Sequence, residues 1–124
     1  MGLQFENLPI YNKQSGLNLP NLVKAYGVTR QEFSLISGVS SSLLSGNKEV
    51  NPETRMKVTE LVSIYSILWS LCDEDEVKIK RWLNEPKNEY WSLSPVQFMK
   101  INRENILIVL KNLQNIIHGE AMGA

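Results

Sequence analysis

Three helix starts are spelled out in this chain, and they constrain its fold more than any other feature. Thr29-Arg30-Gln31-Glu32 has the form of a capping box, in which Thr29 and Glu32 satisfy each other's orphan amides, and Val28 stands where a hydrophobic staple onto Phe33 belongs. Asn51-Pro52-Glu53 and Ser94-Pro95 each combine an N-cap residue with proline at the first helical position, where its missing N–H is no loss. No stretch shows the two-residue apolar alternation of a half-buried strand. The chain is therefore expected to be all-α.

The intervals between these starts predict the remaining elements. Residues 1–18 are polar, with Pro9 and Gly16, and read as an irregular, flexible N-terminal arm. A short helix over Leu19 to Tyr26 closes at Gly27, the second helix runs to Gly38, and Val39-Ser40 turns into a third, Ser41 to Ser45, ended by Gly46-Asn47. A long fourth helix reaches about Cys72, with Val58, Leu61, Val62, Tyr65, Leu68, Trp69 and Cys72 at helical spacing on one apolar face. Thr59, Ser63, Ser66 and Ser70 recur on the opposite side, either as a solvated face or as a strip along which another helix approaches closely. Asp73-Glu74-Asp75-Glu76 reads as the acidic start of a further helix carrying Val77, Lys80, Arg81 and Trp82, in preference to a metal site. After Ser94-Pro95, Ile106-Leu107-Ile108-Val109-Leu110 is apolar right round the last helix, so a cover over its other side is expected. The chain thus divides into the arm, a segment over 19–72 and a segment over 73–124.

Composition narrows the function. Thirteen Lys+Arg balance thirteen Asp+Glu, so no global basic field draws in nucleic acid, and any DNA contact must come from a local patch helped by dimerisation. The single Cys72 forms no internal disulfide and no metal cluster and reads as a core thiol. No run approaches the roughly 20 apolar residues of a membrane span. Met1-Gly2-Leu3-Gln4-Phe5-Glu6 lacks the basic start and apolar stretch of a signal peptide, so a cytoplasmic location is expected. No nucleophile has a visible base partner, no Gly-rich phosphate loop precedes a helix, and no carboxylates pair in an apolar setting. Neither catalysis nor a cofactor nor a bound metal is expected.

Arg30 to Leu44 resembles the helix-turn-helix of Xre-type regulators: Phe33, Val39 and Leu44 fall at its core positions, Ser34 at its small position and Gly38 at its turn. In that motif the second helix enters the major groove. The side chains it offers here are Ser40, Ser41, Ser42 and Ser45, with Asn47 the first amide, while Arg30, Gln31, Lys48, Arg55 and Lys57 are candidates for phosphate contacts.

Taken together with Trp82-Leu83, Pro86-Lys87-Asn88, Leu93-Ser94-Pro95-Val96 and the terminal Ile116-Ile117-His118-Gly119, the chain resembles the Xre-MbcA-ParS antitoxin family over about residues 20–120. The resemblance implies an Xre-like N-terminal domain followed by a small helical toxin-binding module. It also implies a homodimer that occludes a RES-domain, NAD-degrading toxin and represses its own operon by binding operator DNA. The alternative is a stand-alone Xre-like DNA-binding regulator.

Within the last third, Trp82 and Phe98 read as core residues, while Trp91 stands between core and interface. The candidate partner contacts are Trp91, Leu93, Pro95, Met99, Ile108, His118, Gly119 and Glu120. His118, beside the helix-ending Gly119, also suits the negative end of the helix dipole. The stretch Glu120-Ala121-Met122-Gly123-Ala124 reads as a frayed end or an insertion peptide.

Overall fold

A computed structural model of the chain describes residues 8–12, 16–46 and 49–119. Among these the chain is mostly helical, with seven α-helices and one small sheet. Asn18, Thr29, Ser40, Asn51, Asp75 and Ser94 cap α1 (Leu19–Tyr26), α2 (Arg30–Ser37), α3 (Ser41–Leu44), α4 (Pro52–Leu71), α5 (Glu76–Asn84) and α6 (Pro95–Ile101). A 3₁₀ turn over Asn88–Tyr90 precedes α6, and α7 spans Glu104–Ile117. Both boxes close reciprocally: Thr29 with Glu32, and Ser94 with Gln97.

The expected arm is corrected where it is described. Tyr11–Asn12 (β1) pairs antiparallel with Gly16–Leu17 (β2), in register Tyr11 to Leu17 and Asn12 to Gly16. Leu8, Ile10 and Leu17 are buried, so this part of the arm is a lid over the core. Burial of three aliphatic side chains outweighs the polar composition around them.

Helix α4 is the axis of the fold. Ile64, Tyr65, Ser66, Ile67 and Leu68 are all buried, so its middle is enclosed on every side instead of along one face. The small-residue strip divides accordingly. Ser66 is buried, its hydroxyl donating to Val62 carbonyl, whereas Thr59 and Ser70 are exposed. Tyr26 donates to Leu61 carbonyl and meets Phe33 edge-on, with ring centres 5.4 Å apart. The two halves share this core. Helix α7 lies along α4, α5 packs on α1 and α6 on α2, and the buried apolar side chains of both segments form one cluster. Asn84 Nδ2 reinforces the join by donating to Tyr26 carbonyl at 3.0 Å, where Gly27 ends α1 in the left-handed region.

Candidate partner and nucleic-acid interfaces

The α2–turn–α3 segment gathers five of the expected nucleic-acid contacts. Arg30, Gln31, Ser41, Ser42 and Ser45 line, with Thr29, an open concavity of about 520 Å³. Local capping consumes part of this polarity. Ser40 Oγ accepts from the Leu43 amide at 3.3 Å, and Ser45 Oγ donates to Ser42 carbonyl at 2.9 Å. Helix α3 is four residues long, about one turn, which presents far less to a groove than a full recognition helix. Lys57 Nζ turns inward to Gly38 carbonyl at 3.4 Å and lies 4.0 Å from Glu53, while Arg55 lines a different recess with Tyr11 and Leu17. Arg30 is thus the one cation on the concavity among the described residues. Asn47 and Lys48 lie outside the described residues.

The expected partner contacts separate by burial. Pro95 and Met99 are corrected: both are buried on α6, Met99 to 1% exposure, because the helix turns this face onto α7 and the core. Leu93 is half-buried against the same core. Phe98 is buried and stacks on Tyr90 at 4.8 Å, and Trp82 is half-buried with Lys87 Nζ 5.1 Å from its ring centre. Trp91, by contrast, is 76% exposed and lies tilted against Phe98 at 5.7 Å.

On α7, Ile106, Val109 and Leu113 are buried, but the expected cover over the other side is absent among the described residues. Leu107, Ile108, Ile116 and Ile117 are exposed, Ile108 to 45% and Ile116 to 58%. Asn105, Ile108, Asn112 and Ile116 follow three- and four-residue steps and so share one side of the helix. That side faces the Trp91 loop. Asn105 Nδ2 donates to Phe98 carbonyl at 2.7 Å, and Asn112 Nδ2 to the Tyr90 hydroxyl at 3.2 Å. The fold therefore brings Trp91, Ile108 and Ile116 to one side of the molecule. Ile116 was not among the expected contacts, although its spacing from Asn112 and Ile108 carries the signal. His118 and Gly119 are exposed at the helix end, where Gly119 (φ +70°) donates to Ile116 carbonyl at 3.1 Å. Glu120 lies outside the described residues.

Two contacts join these surfaces. Arg103 Nη1 donates to Ser37 carbonyl at the end of α2, and Lys100 Nζ sits 3.2 Å from Glu32 Oε2. The Thr29 amide, and then Lys100, hold the Glu32 carboxyl below the usual glutamate value.

Among the described residues, no group of His, Cys, Asp and Glu is placed to hold a metal ion, and no helix is long and apolar enough to cross a membrane. No model of a known protein family matches the chain, and no curated protein matches it.

Proposed function

We propose that this chain is a non-catalytic antitoxin whose C-terminal segment docks on a RES-type, NAD-degrading toxin and occludes it. The observation that carries the reading is the uncovered apolar side formed by Trp91, Ile108 and Ile116, since large exposed apolar groups gathered on one side mark an interaction surface. The class of partner comes from the resemblance of the Trp82 to Gly119 order to the Xre-MbcA-ParS family. In this reading α2, the Gly38 turn and α3 form an Xre-like helix-turn-helix, and a homodimer uses it to repress the operon.

Co-expression with the product of the adjacent open reading frame tests the proposal. The expected result is a product that arrests growth alone, depletes NAD, and is neutralised by and co-purifies with this chain. A product harmless alone, or one still toxic and not retained by the chain, removes the reading.

The concavity lined by Arg30, Gln31, Ser41, Ser42 and Ser45 favours a second reading, a stand-alone DNA-binding regulator. That reading requires sequence-specific retardation of the chain's own promoter, with affinity falling steeply as salt rises. Equal affinity for scrambled DNA removes it.

A further inference from the structure

Arg55, expected among the phosphate contacts of the helix-turn-helix, stands instead at a recess of its own. On α4, Arg55, Thr59, Val62 and Ser63 follow three- and four-residue steps and so share one side of the helix. With Tyr11 and Leu17 they line an open recess of about 200 Å³. Its other wall is the β1–β2 pair, whose register sets Tyr11 directly against Leu17. That wall is fixed to the body of the fold: Leu8, Ile10 and Leu17 are buried, and Asn18 N–H donates to Ile10 carbonyl at 2.9 Å.

The lining joins an apolar base to an uncommitted cation. Leu17, 2% exposed, and the half-buried Val62 supply the apolar part. Arg55 is exposed, and among the described residues its guanidinium has neither an ion pair nor a hydrogen bond, whereas Lys57, Arg81 and Lys100 each stand by a carboxylate. Thr59 hydroxyl donates to Arg55 carbonyl at 2.8 Å, while the hydroxyl of the half-buried Ser63 has no partner among the described residues.

We infer that this recess is a binding site for an aliphatic carboxylate. A planar guanidinium takes a carboxylate through two parallel N–H donors, and Ser63 hydroxyl adds a third. Leu17, Val62 and the Tyr11 ring cover the aliphatic body, whose burial contributes in proportion to its area. The size agrees, since the recess is smaller than the roughly 300–1,000 Å³ of sites for drug-sized ligands and suits one branched aliphatic group. Phosphate fits less well: it brings more negative charge than one cation balances, and it leaves Leu17 and Val62 uncovered. The required chemistry is carried both by the last residue of a protein chain ending in leucine and by a free branched-chain acid. The site is independent of the proposed function, because the Trp91 side of α7 takes no part in it.

NMR of the full chain, following the Leu17 and Val62 methyls, tests this by titration with isocaproate, its neutral amide, inorganic phosphate and a pentapeptide ending in leucine. The acid is expected to give saturable shifts, the amide to bind at least about tenfold more weakly, and phosphate to give no saturable shift at these methyls. Arg55→Gln should weaken the acid about tenfold or more, and Arg55→Lys by less, since the charge stays while the fork is lost. Arg55 is exposed, so both variants should keep the wild-type melting temperature. Equal binding of acid and amide, phosphate binding at least as tight as the acid, undiminished binding by Arg55→Gln, or no saturable shift with the acid or the peptide each overturns the inference. A peptide that binds more tightly than the free acid, and fails once its C-terminus is amidated, assigns the site to a chain end; a peptide weaker than the acid assigns it to the free acid.

Discussion

The serine-lined concavity and the Trp91 side of α7 are both exposed, yet they differ in what they leave unsatisfied. Around the concavity, hydroxyls that are free in the sequence are engaged within the fold: Ser40 caps α3, and Ser45 returns to Ser42. Around α7 the reverse holds. Asn105 and Asn112 are engaged, and what remains in water is the apolar surface of Trp91, Ile108 and Ile116. A polar surface facing water gains little from a partner, whereas an apolar one gains by being covered. Single apolar side chains, Leu35, Leu43 and Met56, are exposed on the first segment too, but only the C-terminal side adds an exposed tryptophan to its isoleucines.

The contrast is sharpest along α7 itself. Leu113 is buried, while Ile116, one turn on, is 58% exposed. Leu113→Ala is expected to cost about 2–5 kcal/mol in urea unfolding, against less than about 0.5 kcal/mol for Ile116→Ala. Similar costs at the two positions would mean that Ile116 is covered within the chain, and the difference between the regions would disappear.

The next effect concerns the link between the two regions. Gly38 sits at φ +77°, and a Cβ built there lies 2.9 Å from Arg103 Nη1. Gly38→Ala should therefore destabilise by more than about 1 kcal/mol, through backbone strain and displacement of Arg103 from Ser37. A neutral Gly38→Ala in chemical denaturation would show that the regions are not held together at this point.

The two capping boxes offer a matched pair, one in each region. Thr29→Ala and Ser94→Ala should each cost about 1 kcal/mol, with Ser94→Ala the more costly because that residue is buried. The reverse order would place the tighter helix start beside the concavity.

Smallest is a pH effect on the Glu32–Lys100 join. The carboxyl of Glu32 is held below its ordinary value of 4.5 in the folded chain. A depressed acid contributes stability that is present above the unfolded pKa and lost as pH falls through the folded one. Glu32→Gln should flatten the acid limb of the stability profile below about pH 4.5 and leave neutral pH little changed, as expected of a partly exposed pair. An unchanged acid limb would mean that Glu32 titrates as it does in the unfolded chain.

Much of this was legible in the residues. The starts at Thr29, Asn51 and Ser94 were readable because capping is decided within four residues of sequence. The burial of Leu8, Ile10 and Leu17 was not, because their partners are distant in sequence and the surrounding arm is polar. Nor was the burial of Pro95 and Met99, since short α6 carries apolar groups whose facing is set by α7 and not by period. For the nucleic-acid candidates, the resemblance to a helix-turn-helix placed Arg30, Gln31 and three serines together, but only the folded chain reveals that Ser40 and Ser45 spend their hydroxyls locally. The left-handed Trp91 left no trace in composition, since no glycine or asparagine stands at that position to announce it.

The central claim is that the partner meets the Trp91 side and not the concavity. An NMR titration of the chain with purified RES-domain toxin, observing isoleucine methyls, the Trp91 indole and backbone amides, tests it most directly. The account predicts perturbation concentrated at Trp91, Ile108 and Ile116, with the Ser41 and Ser42 amides unmoved; perturbation centred on Arg30, Ser41 and Ser42, with Trp91 silent, would contradict it.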